Sequence, residues 1–191
     1  MTYGVDVSEN NGRVDWQAVA DAGQKFAIVR SSYGRYSKDE DFLRNVDGAH
    51  SAGLQCGAYH YSYALNPEQA RQEARSCKQI IEEAGVLLEL PVFFDMEDAD
   101  GYKSKHGFDF SGENVTAICK AFLEEIKPLD CGVYASLSWL EDYIDWQGLG
   151  CAVWNAQWGK QDDLKGYMWQ YTDSLNIGGK QFDGNILYID L

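Results

Sequence analysis

Eight short apolar runs, at 3–7, 26–31, 56–63, 91–97, 131–136, 151–158, 167–171 and 182–188, restrict the fold of this chain more than any other feature. Most are nearly continuous rather than alternating, the pattern of strands covered on both faces. Between the first six lie segments with helical character, at 15–22, 39–52, 67–84, 113–127 and 136–143. In the second, Phe42, Val46 and Ala49 recur at helical spacing. Asn66 before Pro67 reads as an N-cap and first-turn proline, and Gly85 as a stop. After the sixth run the connections shrink to turns such as NIGGK. Strands alternating with helices make βαβ units and a parallel sheet. The expected class is α/β: an irregular TIM-like barrel of about eight strands, five βα units followed by three strands lacking full helices. An open doubly wound sheet is the alternative, but no GxGxxG or P-loop glycine pattern follows any strand.

The 191 residues suit one compact domain with a substantial core, and 45% hydrophobic against 24% charged residues describes a globular chain. A net charge of −14 argues against a nucleic-acid partner or docking on anionic lipid, both of which need clustered Lys and Arg. No stretch reaches the roughly 20 apolar residues of a membrane span. The N-terminus, MTYGVDVSEN, has neither the basic nor the apolar region of a signal peptide. Five dispersed cysteines without a CxxC pair, and three histidines without ligand spacing, make a zinc site unexpected. Cys56, Cys131 and Cys151 open apolar runs and read as small core hydrophobes needing no disulfide.

The stretch PVFFDMEDAD raises the functional question, because an apolar strand ends there in four acids. Asp95 and Glu97 are two apart, which on one strand places both side chains on one face, about 6.6 Å apart along the backbone. Asp98 and Asp100 read as solvated loop acids. Asp6 closes the first apolar run, and Asp183 sits in the eighth, beside the first in a closed barrel. Active sites of such barrels form at the C-terminal strand ends, so Asp6, Asp95, Glu97 and Asp183 are expected to converge there. A lone Asp at a strand end is an ordinary cap or turn residue; convergence is what gives these acids meaning. Crowded, partly buried carboxylates raise one another's pKa and keep a proton near neutral pH, as glycosidic cleavage requires. The same cluster could instead hold Mg²⁺ or Ca²⁺ for phosphoester chemistry, which makes a metal-dependent phosphodiesterase the alternative.

Aromatic residues favour the first reading. Tyr33, Tyr59, Tyr61, Tyr63, Tyr134, Trp154, Trp158, Trp169 and Tyr171 fall in or just after strands. Those at strand ends would wall a cleft with flat apolar surfaces and polar tips, suited to sugar rings. Cations for a phosphate are scarce, with Arg30 and Arg35 the near candidates.

These segments also carry a resemblance. YGVDVSENNGRVDW (3–16), FAIVRSSYG (26–34), AGLQCGAYHYSYA (52–64), PVFFDMED (91–98), GVYAS (132–136), VWNAQWG (153–159), MWQYT (168–172) and FDGN (182–185) together resemble the glycoside hydrolase family 25 lysozymes. The resemblance spans nearly the whole chain. It implies an N-acetylmuramidase that cuts the β-1,4 bond from N-acetylmuramic acid to N-acetylglucosamine, on an irregular barrel. By its motifs Glu97 matches the acid/base and Asp95 its partner, with Asp6 and Asp183 the acids of the first and last strands. Tyr61, Trp154 and Gln157 fall in segments that line the family's cleft, and Tyr33, Trp169 and Arg30 are the further candidates for binding substrate; Arg30 stands where lysine is more usual. The resemblance implies a single catalytic domain over 1–191, acting as a monomer on bacterial peptidoglycan without cofactor or metal. The expected place of action is the cell wall, extracellular or phage-released. A binding-only relative that recognises glycan without cutting it is the second reading.

Overall fold

The computed structural model describes every residue except Asp190. The strands are β1 (Thr2–Val7), β2 (Phe26–Tyr33), β3 (Ser37–Lys38), β4 (Gln55–Tyr61), β5 (Val92–Asp95), β6 (Cys131–Ser136), β7 (Ala152–Ala156), β8 (Met168–Ile177) and β9 (Lys180–Leu187). The helices are α1 (Trp16–Asp21), α2 (Phe42–Ser51), α3 (Pro67–Ala84), α4 (Tyr102–Lys105), α5 (Gly112–Glu125), α6 (Leu137–Asp142) and α7 (Trp146–Leu149). Hydrogen bonding runs β1-β9-β8-β7-β6-β5-β4-β2 and closes through β1–β2, an eight-strand barrel with β3 appended at the edge of β2. Five βα units precede three strands without helices between them, the architecture expected from the apolar runs.

Helix boundaries follow local chemistry. Asn66 accepts from the Gln69 amide at the start of α3, Pro67 takes the first turn, and Gly85 ends it in the left-handed region. Asp15, Ser111 and Ser136 cap α1, α5 and α6 in the same way. The appended β3 runs antiparallel to β2; within the barrel the one reversal of direction is β9, antiparallel to both β8 and β1. Its connection to β8 turns on Gly178 and Gly179, at φ 61° and 85°, and a link that short cannot return a strand in parallel.

The barrel has two cores. An outer one, including Val5, Val29, Phe94, Ile118 and Phe122, packs the helices on the strands. An inner one of Phe26, Ile28, Leu90, Phe93, Trp154, Met168 and Leu187 plugs the barrel itself. Gly4 leaves room for this plug: a Cβ there would lie 2.5 Å from the Phe26 ring. Side chains two apart on a strand share a face, and this alternation carries the plug up into a polar layer. Phe93 precedes Asp95, Ile28 precedes Arg30, Met168 precedes Gln170, and Asp183 and Asn185 precede Leu187 on the reversed β9. The apolar floor therefore sits directly beneath a polar mouth.

Buried polar groups also tie α3 to the barrel from outside. Glu73 accepts from the Ser62 hydroxyl at 2.7 Å and the Tyr63 amide at 3.0 Å, and lies 3.3 Å from His60 Nε2. His60 Nδ1 meets the Ser32 hydroxyl at 2.8 Å. Burial favours the neutral imidazole, but contacts with Cys77 and Glu73 outweigh it and lift His60 to about 9. The five cysteines are free thiols, Cys56, Cys77 and Cys119 buried and Cys131 and Cys151 partly so. Among the described residues no helix is long and apolar enough to cross a membrane.

Candidate active site

The mouth at the C-terminal ends of the parallel strands is a cleft of about 330 Å³. Asp6, Arg30, Tyr59, Tyr61, Asp95, Glu97, Tyr134, Trp154 and Asp183 line it, so nine of the residues singled out in the sequence share one cavity. Because β9 runs backwards, Asp183 reaches this mouth from the first half of its strand, where it pairs in register with Asp6.

Glu97 needs a correction. It does not lie on the strand, because β5 ends at Asp95. Both carboxyls still face the cleft because the backbone stays extended one step further: Met96 donates to the Tyr134 carbonyl at 2.9 Å and is fully buried. Alternation then returns Glu97 to the side of Asp95. Nor are Asp98 and Asp100 idle loop acids. Asp98 accepts from the amides of Lys103 (2.6 Å) and Ser104 (3.0 Å), while Asp100 accepts from the Tyr63 hydroxyl (2.8 Å) and the Tyr102 amide (3.0 Å). Together they fold the loop after β5 into α4.

A directed network holds Asp6. Its Oδ2 accepts from Gln170 Nε2 at 2.9 Å and Asn185 Nδ2 at 2.8 Å. Gln170 in turn accepts from the Tyr134 hydroxyl (3.0 Å) and Trp158 Nε1 (3.1 Å), and Asn185 accepts from Trp154 Nε1 (2.9 Å). Every donor points toward Asp6, which leaves its other oxygen toward Asp183. Burial and the neighbouring Asp183 carboxylate hold Asp6 well above the usual range, despite the two amide donors. Burial and Asp173 push Asp183 up to about 6. The hydrogen bond between the two side chains raises Asp6 and lowers Asp183.

Asp95 and Glu97 form the second couple. Burial raises Asp95 well above an ordinary carboxyl, and the Glu97 charge adds to it; Lys103 and Arg30 oppose the rise. Burial also raises Glu97, against Lys103 and with Asp100, Asp183 and Asp98. Asp95 is 4% exposed, and its Oδ1 has no hydrogen-bond partner among the described residues. A buried oxygen without a donor is costly unless a ligand supplies one.

The walls are aromatic. Tyr59 and Tyr134 meet Trp154 edge-on at centroid separations of 6.2 and 4.5 Å. A second hollow of about 390 Å³ continues past Asn10, Arg30 and Tyr61 to Tyr33, Tyr63 and Asp100. Tyr33 belongs to that extension. It is in phase because β2 carries a bulge between Arg30 and Ser32, which returns Tyr33 beside Tyr61. Arg30 bridges the two hollows, bound to Asp39 at 2.8 Å and Glu9 at 3.1 Å, with its guanidinium 5.0 Å from the Tyr33 ring centroid.

Two expected residues lie elsewhere. Gln157 spends its side chain on Asp163, donating at 2.6 Å and accepting at 2.9 Å. Trp169 is adjacent to inward-facing Gln170, so its ring takes the other face and donates to the Gln157 carbonyl at 2.7 Å. Sequence reading overlooked Gln170 and Asn185, whose signal was their two-residue phase with Met168 and Asp183. It also overlooked Ser8, Asn10 and Asn11, which line the cleft from the turn after β1. Among the described residues no group of three or more His, Cys, Asp or Glu is disposed to hold a metal ion.

Comparison with known proteins places this arrangement. The chain is similar to the autolytic lysozyme of Clostridium acetobutylicum, 27% identical over 179 residues, covering 92% of this chain and 52% of that one. It is also similar to lysozyme M1 of Streptomyces globisporus, 26% identical over 195 residues, covering 94% of this chain and 65% of that one. The chain thus spans between about half and two thirds of these relatives' length. Its fold matches a family 25 glycosyl hydrolase from Bacillus anthracis with a TM-score of 0.81 at 24% identity, covering 100% of this chain and 90% of that one. The family model of glycosyl hydrolases family 25 matches residues 5–180, which hold three of the four converging acids, Asp6, Asp95 and Glu97, and the chain belongs to that family.

Proposed function

We propose that this chain is a peptidoglycan hydrolase, an N-acetylmuramidase whose single catalytic domain is residues 1–191. The observation that carries the reading is the coupled Asp95–Glu97 pair, raised by burial, at the floor of a tyrosine- and tryptophan-walled cleft. Membership of a family of glycosyl hydrolases and similarity to two proteins named lysozymes support it. The substrate is bacterial peptidoglycan, met at the cell wall by a monomer.

Glu97 is the proton donor, being raised by burial and partly open to the cleft. It protonates the glycosidic oxygen as the bond to C1 of N-acetylmuramic acid breaks, and the N-acetylglucosamine side leaves as an alcohol. The 2-acetamido oxygen of the muramic residue attacks C1 from the opposite face and closes a cyclic intermediate. Asp95 Oδ1, buried and without a partner among the described residues, accepts the acetamido N–H and stabilises the charge that develops there. Glu97, now ionised, then takes a proton from water, which opens the intermediate with overall retention. Asp6 and Asp183, hydrogen-bonded to each other beside this couple, set its proton affinity.

Clearing of a bacterial cell-wall suspension tests the proposal. Falling turbidity with release of new reducing ends supports a hydrolase; binding to walls without clearing would identify a glycan-binding relative instead.

A further inference from the structure

Lys103 lies on α4, outside every strand, yet is 1% exposed. Its ammonium donates to two backbone carbonyls, Ser62 at 2.5 Å and Glu97 at 2.6 Å. It also stands 6.0 Å from the centroid of the Tyr61 ring, a cleft wall. The first bond fastens the chain after β4 and the second fastens the residue read here as the acid. Carbonyl anchorage needs only a neutral donor. An ammonium buried on carbonyls carries a desolvation cost that a neutral group would avoid. Its charge is not cancelled by a hydrogen-bonded carboxylate, so its field reaches the acids around it. Those are Asp95 on β5, Glu97 and Asp98 after it, and Glu73 on α3; Asp100 acts on Glu97 from the same loop. Asp6 on β1, Asp183 on β9, Arg30 on β2, and Tyr59, Tyr61 and Tyr134 complete the titratable surroundings of the Asp95–Glu97 couple.

We propose that Lys103 is a positioning residue of the cleft, which pins the Glu97 backbone and supplies the buried positive charge that lets the Asp95–Glu97 couple ionise. The inference rests on the reading of Glu97 as the acid. Without Lys103 both carboxyls would be held protonated to higher pH, since its charge now lowers each of them. Glu97 would then be the weaker acid toward the leaving oxygen, although it would stay protonated to higher pH.

The test is a ¹³C-carboxyl NMR titration of the intact chain and of Lys103→Met, alongside the pH profile of wall hydrolysis. Loss of the charge should raise the Asp95 and Glu97 midpoints by about one unit, and the alkaline limb of kcat/KM should follow. Lys103→Arg should keep both midpoints near those of the intact chain while losing rate, because the larger head cannot reproduce both carbonyl bonds. Unmoved midpoints in folded Lys103→Met would overturn the proposal and leave a purely mechanical staple. Should that variant fail to fold, the reciprocal measurement decides. Coupling is mutual, so Glu97→Gln and Asp95→Asn should each lower the ¹⁵Nζ midpoint of Lys103, and an unchanged midpoint in both overturns the proposal. The titrations need no turnover, so a failed muramidase reading and a failed role for Lys103 are separate results.

Discussion

Asp6 and Asp183 are direct partners across the antiparallel β1–β9 pair, two carboxyls facing each other at the mouth of the barrel. Burial and the neighbouring Asp173 hold the Asp183 carboxyl above its ordinary range in the folded state but not in the unfolded chain, so stability and activity pull in opposite directions here. Asp183 is raised from 3.8 to about 6, and a group raised on folding stabilises the fold fully only below its unfolded pKa. That contribution disappears between about pH 4 and pH 6. Asp183→Asn is therefore expected to stabilise the protein at pH 7 by about 1–2 kcal/mol after solvent screening, and hardly at pH 3.5. Calorimetry at both values checks this. Because the Asp183 charge also raises Glu97, the alkaline limb of the variant's activity profile should move to lower pH.

Glu97→Gln keeps the size and shape of the side chain but has no proton to give. Hydrolysis should fall by roughly 10²–10⁴-fold, the usual contribution of a general acid, with an unchanged circular dichroism spectrum. Near-normal lysis by the folded variant would move the acid elsewhere.

The buried His60–Glu73 contact makes an opposite kind of prediction, about the scaffold rather than the cleft. His60 is raised from 6.5 to about 9, so its contribution to stability is complete below pH 6.5 and is lost as pH rises through 9. Urea midpoints of the wild type should decline across that window beyond any decline in Glu73→Gln, which removes the partner. Parallel curves for the two proteins would show that Glu73 does not hold the charge on the imidazole.

The acids are assigned to proton and charge work. Exhaustive treatment with EDTA is accordingly expected to leave wall-clearing activity within about twofold of the untreated protein. Loss of activity that Mg²⁺ or Ca²⁺ restores would favour the phosphodiesterase alternative.

Much of the barrel was legible in the sequence because its signals are local. Asn66, Pro67 and Gly85 delimit α3 at the boundaries its sequence indicates, and the apolar runs locate every barrel strand. The direction of β9 was legible only through NIGGK, a hairpin turn too short for a parallel crossover. The acids could be read because a carboxylate ending an apolar strand is anomalous. Gln170 and Asn185 were not, because an amide in a strand carries no such anomaly until the barrel closes and aims both at Asp6. Trp169 was placed in the cleft because aromatic type alone does not tell a strand's two faces apart; the inward Gln170 beside it does. Lys103 lay beyond sequence reading altogether. Its position depends on how Asp98 and Asp100 fold the loop, a tertiary outcome without a local signature.

The most direct test of the account is the identity of the sugar at the newly formed reducing end. Purified peptidoglycan is digested, reduced with borohydride and acid-hydrolysed, and the amino-sugar alcohols are separated. Cleavage after N-acetylmuramic acid, with Glu97 protonating the departing N-acetylglucosamine oxygen, predicts muramitol as the main product. Glucosaminitol as the main product, or no reducible end above the undigested control, would contradict the muramidase reading.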